Sequence, residues 1–385
     1  MTTTAHSESH LGPNAALIGK PGSRNELATP CLVLDRAKLE ANIAYAAAFA
    51  KASGIALRPH GKSHKCASIA ALQIAAGSRG ICAATVGEAE AFAAAGIGDI
   101  LITSNFTQPN KIARVIALAR RCKLSIVADD PGIVDRVAAA ARAANIRLDV
   151  LVDVDLGRKR NGVTSPGQAL AVAARIAAHP NLRLAGLQTY ASLISHTHDY
   201  AERLAANRKS TVEIIAIKQA LESAGHTIET ITGGSTGTLF MDPSMGCYTE
   251  LQAGSYVFSD VEYDAIPLDG ANPHPFSPAL FVRVSVIGRN VPGRVTCDGG
   301  NKQFSAKGTL PGLANPPAPG AVYRPDSDEH GIIELPEGAA QPALGCAFEL
   351  IVPHCDPTVN LYTHIHVVDG DTLTAIWPIE GRGAF

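Results

Sequence analysis

The feature that most constrains the fold is a regular alternation of short apolar runs with alanine-rich stretches between about residues 27 and 260. Eight runs have the length and β-branched or apolar content typical of strands. They are IALRPH (55–60), GICAA (80–84), ILITS (100–104), KLSIVAD (123–129), LDVLVDVD (148–155), LRLAGLQTY (182–190), TIETITGG (227–234) and ELQAGSYVF (250–258). Most segments between them have helical patterning, and several begin with Pro or Asp and end with Gly or Asn. Strands alternating with helices predict parallel βαβ units, and eight of them predict a closed (β/α)8 barrel of the TIM type.

The rest of the chain predicts further parts around this barrel. A doubly wound open sheet would show the same alternation, but no GxGxxG follows an early strand, which favours the barrel. The run TPCLVLD, which precedes an additional helix (35–54), resembles a strand outside the barrel. After about residue 262 Pro and Gly become dense and only short strand patterns follow. We therefore predict a partly disordered N-terminal arm (1–26), a barrel domain (27–262) and a mainly β domain (263–385), which the TPCLVLD strand is a candidate to join.

The charge and cysteine content of the chain indicate which partners and which cellular compartment are expected. The chain has 33 basic and 35 acidic residues and a formal net charge of −2, which gives no support for a nucleic-acid or membrane-surface partner. Charged residues interrupt every apolar stretch before it reaches the roughly 18 residues of a membrane helix. The N-terminus lacks the pattern of a signal peptide. The eight cysteines contain no CxxC pair, which suggests reduced thiols. We expect a cytoplasmic protein.

Chemistry in a barrel of this type is expected at the carboxyl ends of the strands. The first strand runs into RPHGKSHK, which groups the cationic residues Arg58, His60, Lys62, His64 and Lys65. A lysine among cations has a lowered pKa, which suits Schiff-base chemistry. The GGSTGT turn after strand seven offers small residues and backbone N–H groups where barrels commonly bind phosphate. Together they predict a pyridoxal-phosphate (PLP) site, with a solvated loop lysine and an ordinary turn as the equal alternative.

Seven motifs together resemble one enzyme family. They are RPHGKSHK, DVDLGRKRNGV, GLQTY, ITGGSTGT, YTELQAGSYVF, DEHG and VPHCDPTVNLY. This set is similar to the D-threonine aldolase and D-serine dehydratase family, which are PLP enzymes with an alanine-racemase-like barrel. The resemblance covers nearly the whole chain, from TPCLVLD to the closing WPIEGRG.

The resemblance implies a role for individual residues at the barrel mouth. Lys62 matches the lysine that holds PLP as a Schiff base, Arg160 matches an arginine near the cofactor ring, and Tyr190 matches an active-site tyrosine. The remaining cofactor contacts that the resemblance implies are Gly234, Ser235 and Thr236 of the phosphate turn, and Ser255 and Tyr256 of strand eight. We expect His60 and His64 to flank the lysine as hydrogen-bonding partners.

The PHCDPTVN segment of the second domain is the candidate metal site. An isolated His-x-Asp is more often a polar turn, but the resemblance implies that His354 and Asp356 bind a divalent metal beside the cofactor. Alternate residues of an extended segment point the same way, so these two are expected to converge while Cys355 turns away. A histidine and a carboxylate favour Mn²⁺, Mg²⁺ or Ca²⁺, and Cys355 keeps Zn²⁺ as an alternative. Dehydratases of the family typically carry Cys at the third position, so Asp356 favours the aldolase branch.

The resemblance therefore implies a homodimeric lyase that cleaves D-3-hydroxy amino acids such as D-threonine to glycine and an aldehyde. The alternative is a dehydratase that uses the same site to release a 2-oxo acid and ammonia. A PLP-binding protein without robust catalysis is a third reading, which the second domain and the metal motif argue against.

The sequence does not assign a catalytic or binding role to several further positions. An active-site role and a structural role are equally supported for His196, whereas His364 and His366 are expected to be structural. The motif Asp328–His330 has no assigned role. The chain departs from the family pattern at Ala191-Ser192, where relatives often carry His-Gly, and at Ser259, where they commonly carry Met. Both departures lie near the substrate side chain.

Overall fold

The computed structural model describes residues 11–270, 272, 274–305 and 308–385. Within them the chain forms an eight-stranded parallel sheet and a nine-stranded, mainly antiparallel sheet. No helix in these residues is long and apolar enough to cross a membrane.

The parallel sheet is the predicted barrel. Its strands are β2 (Ala56–Leu57), β3 (Ile81–Ala83), β4 (Asp99–Ile102), β5 (Lys123–Ala128), β6 (Leu148–Val154), β7 (Leu182–Thr189), β8 (Thr230–Gly233) and β9 (Glu250–Leu251), preceded by β1 (Cys31–Asp35) and α1 (Arg36–Ala52). The order is β2-β9-β8-β7-β6-β5-β4-β3. A parallel bridge between His60 and Cys82 joins the two end strands, and the Cys82 amide donates to the Pro59 carbonyl at 2.8 Å. The predicted fold class is confirmed.

Local sequence explains where the outer helices begin. They are α2 (Ala67–Ala75), α3 (Val86–Ala94), α4 (Pro109–Leu118), α5 (Pro131–Ala143), α6 (Pro166–Ala177) and α7 (Tyr200–Ser223). Three of them start at proline, whose missing N–H and fixed φ suit the first helical position. Asp130 and Ser165 each cap the following helix by accepting a backbone N–H. Between β8 and β9 the described chain forms 3-10 turns at Thr236–Thr238 and Asp242–Met245 in place of a helix.

Two layers of apolar side chains hold the barrel together. Cys82, Leu101, Val127, Leu151 and Ala185 fill its interior and form a cluster of their own. A larger cluster lies between the strands and the surrounding helices and continues into the second domain. The interior is therefore packed rather than open, so a ligand has access only at the strand ends.

The second sheet forms the mainly β domain. Its elements are β10 (Leu280–Gly288), β11 (Arg294–Cys297), β12 (Gly312–Leu313), β13 (Val322–Pro325), β14 (Gly331–Glu334), β15 (Ala347–Ile351), β16 (His364–Asp369) and β17 (Thr372–Pro378), with short helices α8 (Val261–Asp264) and α9 (Cys355–Val359) beside the barrel. Strand β1, from the TPCLVLD run, pairs antiparallel with β10 and parallel with β16. This strand lies in the range 27–262 assigned to the barrel, but its pairing places it in the second domain.

The described part of the N-terminal arm, residues 11–26, packs on the β domain. Arg24 donates two hydrogen bonds to Glu349, at 2.9 and 2.6 Å, and the Gly19 amide donates to the Leu373 carbonyl at 2.8 Å. The predicted arm is therefore held against the β domain over these residues. The predicted disorder of residues 1–10 lies outside the described residues.

Candidate active site

Two adjoining cavities open at the carboxyl ends of the barrel strands. The larger has a volume of ≈ 220 Å³ and reaches toward the ends of β4, β6 and β7. The smaller, of ≈ 50 Å³, lies between the turn after β8 and the segment that contains His354 and Asp356. Both cavities are lined by His60, Lys62, Tyr190 and Gln252. The candidate cofactor lysine therefore lies where the two meet.

The surroundings of Lys62 differ from the predicted cluster of cations. Its Nζ lies 3.5 Å from Oδ2 of Asp356, 3.4 Å from the hydroxyl of Tyr190 and 4.9 Å from the centre of the Tyr190 ring. Burial acts to lower the pKa of Lys62, but the Asp356 carboxylate and the Tyr190 hydroxyl outweigh it, so the pKa is raised. The prediction of a lowered pKa is wrong for the ligand-free site, because the nearest charge is an anion.

The other cations of the RPHGKSHK run point elsewhere. Lys65 forms an ion pair with the buried carboxylate of Glu88. Arg58 forms ion pairs with Glu250 at 2.8 Å and Asp99 at 2.6 Å, at the start of β9 and β4. These partners lie toward the amino ends of the strands, away from the cavities. The cations adjacent in sequence are thus separated and individually neutralised in the fold.

The two histidines of the same run have different partners. The Thr103 hydroxyl lies 3.0 Å from Nε2 of His60, and the backbone N–H of Lys62 lies 3.4 Å from its Nδ1. Burial and the charge of Lys62 hold the pKa of His60 well below its usual value, so the ring is neutral. His64 instead contacts Gln73 of α2 at 3.2 Å, and burial lowers its pKa to about 4. His60 therefore braces the lysine turn, whereas the prediction that His64 flanks the lysine is wrong.

A pinned loop after β6 presents Arg160. Asp155 accepts two backbone N–H bonds from the start of this loop, at 2.7 and 2.6 Å, and the Gly162 amide donates to Asp129 at 2.7 Å. The loop is therefore fixed at both ends. The guanidinium carbon of Arg160 lies 5.7 Å from the centre of the Tyr190 ring, within cation–π range. The structure thus brings Arg160, Tyr190 and Lys62 to one cavity.

Polar groups without a predicted role line the floor of the larger cavity. Gln188 donates to Asp153 at 2.8 Å, and its own Oε1 is buried with no hydrogen-bond partner among the described residues. Burial raises the pKa of Asp153 to about 7, and the charge of Asp129 adds to this effect. From the sequence alone, both residues are recognised only as lying at the ends of predicted strands. Their proximity to the cofactor cavity depends on the closure of the barrel.

The turn after β8 has the properties of a phosphate-binding site. Gly234 has φ +75°, and a Cβ built on it would lie 2.1 Å from Oδ2 of Asp242, so only glycine fits. The hydroxyl of Thr236 is buried and has no hydrogen-bond partner among the described residues. An unsatisfied buried donor beside backbone N–H groups is what a phosphate oxygen would satisfy. Gly234, Ser235 and Thr236 all line the smaller cavity.

The two residues predicted from strand eight are separated by the fold. Ser255 lines the smaller cavity opposite the phosphate turn. Tyr256 is buried behind the cavity, where its hydroxyl accepts a hydrogen bond from Gln73 at 3.0 Å. The structure therefore does not bring the Tyr256 side chain to the site, because Ser255–Val257 form a 3-10 helix, in which successive side chains point to different sides.

The metal motif lines the smaller cavity, but its backbone differs from the prediction. His354 caps α9 and Asp356 lies in its first turn, so the segment is not extended. Nδ1 of His354 lies 3.0 Å from Oδ2 of Asp260, which leaves Nε2 as the atom available to a metal. Burial acts to raise the pKa of Asp356, but the charges of Lys62 and His354 lower it, so its carboxylate is ionised.

Because helix α9 begins at Cys355, the Cys355 side chain stays close to the side chains of the other residues of the metal motif. Its Sγ lies 3.4 Å from Oδ1 of Asp356, and Asp260, His354 and Cys355 offer ligand atoms within 4.8 Å of one another. Burial raises the pKa of the Cys355 thiol well above its usual value, and the thiol is a weaker metal ligand than a thiolate. Cys355 nevertheless does not line the cavity that His354 and Asp356 line, which agrees with the expectation that it turns away from them. Sequence reasoning did not identify Asp260 as a partner of His354, which lies 94 residues later in the chain.

Two further side chains flank the metal motif. Oε2 of Glu262 lies 3.5 Å from Nδ1 of His354 and 3.8 Å from Nδ1 of His196. The His196 and His354 rings are 6.1 Å apart, and both line the smaller cavity. Burial, with the nearby charge of His354, lowers the pKa of His196 despite the Glu262 carboxylate. His196 is therefore a neutral imidazole beside the candidate metal ligands.

The other singled-out motifs lie outside both cavities. His366 contacts the Leu32 carbonyl and the Asn14 side chain, each at 3.0 Å, which agrees with a structural role. Glu329 of the DEHG motif forms an exposed ion pair with Lys302. These contacts hold the β domain together and its N-terminal segment against it.

Sequence families agree with this geometry. The family described as "Alanine racemase, N-terminal domain" matches residues 34–261, and the "Putative serine dehydratase domain" matches residues 279–368. A D-threonine aldolase of an Arthrobacter species is 40% identical over 375 residues, which cover 96% of each chain. The chain belongs to the D-threonine aldolase and D-serine dehydratase family. This confirms the resemblance predicted from the motifs.

Other members of the family carry both kinds of activity in their names. A 3-hydroxy-D-aspartate aldolase of Paracoccus denitrificans is 34% identical and covers 94% of each chain. A D-threo-3-hydroxyaspartate dehydratase of a Delftia species is 31% identical over 84% of this chain and 88% of the relative. The crystal structure of a D-threonine aldolase from Filomicrobium marinum has a TM-score of 0.88 and 34% identity, covering 93% of this chain and 97% of that chain.

Each departure from the family pattern includes a serine whose hydroxyl is buried. Ser192 lines the larger cavity, and its hydroxyl is buried with no partner among the described residues. Ser259 has φ +49°, and its hydroxyl is likewise buried and unpaired within the described part of the chain. Ser192 thus adds a hydroxyl to the cavity wall where relatives often carry glycine, whereas Ala191 and Ser259 stand where the family commonly carries larger side chains.

Proposed function

We propose that this chain is a PLP- and divalent-metal-dependent aldolase that cleaves D-3-hydroxy amino acids such as D-threonine to glycine and an aldehyde. The observation that carries the proposal is the position of Lys62, between the phosphate turn and the candidate metal ligands. Its Nζ is 3.5 Å from Asp356, so a substrate bound beside Lys62 would lie within reach of His354 and Asp356.

The residues present fit the cofactor and the metal. Gly234, Ser235 and Thr236 would hold the phosphate of PLP, Lys62 would attach it, and Arg160 and Tyr190 would flank its ring. His354, through Nε2, and Asp356 would hold the metal. When bound, PLP withdraws electrons from the α-carbon of an amino acid, and a divalent metal acidifies a hydroxyl that it contacts.

The donor set favours particular metals. An imidazole nitrogen and an ionised carboxylate suit Mn²⁺, Mg²⁺ or Ca²⁺, with water completing the shell. Cys355 is buried and does not line the cavity, which argues against a thiolate site for Zn²⁺. We propose Mn²⁺ as the first ion to test, with Zn²⁺ as the alternative.

Cleavage also needs a group that accepts the proton of the β-hydroxyl. His196 is suited to this role because its ring is neutral and lines the same cavity as His354 and Asp356. The Glu262 carboxylate near Nδ1 favours a proton on that atom, which leaves Nε2 of His196 as the base.

The dehydratase alternative shares this site, and one residue separates the two readings. Family members that act as dehydratases typically carry Cys where this chain has Asp356. The presence of Asp356 and the similarity to the Arthrobacter aldolase both support the aldolase.

The cysteines that the structure describes are all free thiols, which supports a reducing, cytoplasmic setting. We further propose a homodimer, as the family resemblance implies.

Product analysis tests the proposed function. The purified protein with PLP and Mn²⁺ is incubated with D-threonine, and we expect glycine and acetaldehyde in equal amounts. Chelation of the metal should stop the reaction, and Mn²⁺ should restore it. Formation of 2-oxobutanoate and ammonia would support the dehydratase instead. No turnover of D-threonine, D-threo-phenylserine or D-3-hydroxyaspartate would support a binding protein.

Replacing His196 with alanine tests its role as the base. We expect kcat for D-threonine cleavage to fall by about 10²–10⁴-fold, the usual contribution of a general base. Mn²⁺ affinity, measured by titration, should stay unchanged because His196 is not a proposed ligand. His198→Ala, an exposed histidine two residues away, is the control. An unchanged kcat in His196→Ala would exclude it as the base.

A further inference from the structure

A buried carboxyl group, that of Asp242, lies directly beneath the phosphate turn. Its side chain is fully buried, and its Oδ2 accepts a hydrogen bond from the Thr238 hydroxyl at 2.7 Å. The same Thr238 oxygen accepts the backbone N–H of Ser235 at 3.0 Å. A Cβ on Gly234 would lie 2.1 Å from Oδ2 of Asp242. The carboxyl group therefore contacts the turn directly at Gly234 and, through Thr238, at Ser235.

This carboxyl group has no cation to balance a negative charge. The titratable groups that face it are Cys247 and Tyr248, and burial raises the pKa of both, so they are neutral. None of the ion pairs among the described residues includes Asp242. An unpaired carboxylate in such a place is costly. Burial raises the pKa of Asp242 to about 7, although hydrogen bonds from Thr238 and Asn207 act to lower it.

The neighbouring amide of Asn207 is compatible with a protonated form. Its Nδ2 lies 2.8 Å from Oδ1 of Asp242, while its own Oδ1 is buried with no partner among the described residues. The two ends of an amide are nearly identical in shape, and their assignment follows the hydrogen bonds. Turning the Asn207 amide over places its oxygen against Oδ1 of Asp242, where it accepts the proton of a carboxylic acid.

We infer that Asp242 is held as a neutral carboxylic acid beneath the phosphate turn and that its ionisation weakens the binding of the cofactor phosphate. Asp242 is thus a positioning residue that makes PLP affinity depend on pH. The inference rests on the proposed placement of the PLP phosphate at Gly234–Thr236. Above pH ~6 a phosphate monoester carries close to two negative charges, so an ionised Asp242 behind the turn repels it.

The sign of the pH dependence follows from linkage. Bound phosphate disfavours the charged form of Asp242, so the pKa of this group is higher in the complex than in the free protein. The Asp242 contribution to PLP affinity is therefore fully present below the free-protein pKa of about 7 and is lost as pH rises through the range between the two pKa values. At an effective dielectric constant of about 20, repulsion over several ångströms corresponds to a loss of about tenfold or more.

The test compares wild type with Asp242→Asn, which keeps the size of the side chain but cannot ionise. PLP affinity of the cofactor-free proteins is measured by equilibrium dialysis from about pH 6 to about pH 8.5, on either side of the expected ionisation. We expect similar affinities at the low end and about tenfold weaker binding by wild type at the high end. Pyridoxal, which lacks the phosphate, should show no such difference. Identical pH profiles for PLP in the two proteins would overturn the inference.

Thr236→Val separates this inference from the proposed function. Unchanged PLP affinity in Thr236→Val would mean that the phosphate binds elsewhere, and the proposed site would fail. Weaker binding in Thr236→Val, together with an Asp242→Asn profile that follows wild type, would overturn the role of Asp242 alone. If Asp242→Asn does not fold, the inference is tested in wild type by measuring the ratio of PLP affinity to pyridoxal affinity across the same pH range. This ratio should fall above pH ~7, where the phosphate is already a dianion, and a constant ratio would overturn the inference.

Discussion

Replacing Lys62 with alanine is expected to abolish retention of PLP and to lower D-threonine cleavage by at least about a thousandfold, as loss of a covalent catalytic group does. Among the described residues, Lys62 is the one lysine that lines these two cavities, so it is the amine placed to attach the cofactor within reach of the metal ligands. The measurement is the absorbance of protein-bound PLP after dialysis, together with the rate of glycine formation.

Lys51→Ala is the matched control, because Lys51 is an exposed lysine on α1 that lines neither of the two cavities. It should keep both the bound cofactor and the activity of wild type. Lys65 is the nearest lysine in sequence, but its ammonium group is paired with the buried Glu88. If Lys62→Ala still retains covalently bound PLP, for example on Lys65, the assignment of Lys62 is wrong.

Replacing Asp356 with alanine is expected to remove metal binding while leaving PLP attached. Turnover should fall by about a hundred- to a thousandfold, because a Lewis-acid metal supplies several kcal/mol and each ~1.4 kcal/mol is a factor of ten. The anion that raises the pKa of Lys62 is also lost, so the amine is more often neutral and PLP attachment should not weaken. Mn²⁺ binding is measured by titration, and bound PLP by absorbance.

The two readouts separate a metal ligand from a structural residue. Asp371→Ala, at an exposed turn of the β domain, is the control and should bind both PLP and Mn²⁺ as wild type does. Unchanged Mn²⁺ affinity in Asp356→Ala would exclude Asp356 as a ligand. Loss of PLP along with the metal would show instead that Asp356 maintains the fold of the site, because an intact site needs only Lys62 and the phosphate turn to hold the cofactor.

The barrel was predictable because its signals are local. The strands from β2 to β9 coincide with apolar runs of the sequence, and proline marks the start of three helices. Lys62 and the Gly234 turn were identifiable because the carboxyl ends of successive parallel strands meet at one face. Their proximity follows from the fold class itself, without knowledge of any side-chain contact.

The electrostatics of the site were not predictable in the same way. The sequence groups Lys62 with cations, yet its nearest charge is Asp356, almost 300 residues away along the chain. The partner of His354 is Asp260, the N-cap of α8, and no spacing pattern links these two residues. A group's pKa depends on charges within a few ångströms, and most of these come from distant segments.

The sequence by itself therefore determined the (β/α)8 barrel, the β domain, the family and the candidate lysine and metal ligands, because periodicity and motifs are written in consecutive residues. Tertiary structure alone separated the cations around Lys62, moved Tyr256 away from the cavity, and placed Asp260 behind His354 and Asp242 beneath the phosphate turn. The physical reason is range: strand and helix patterns arise from neighbours in the chain, whereas hydrogen bonding, burial and charge depend on neighbours in space.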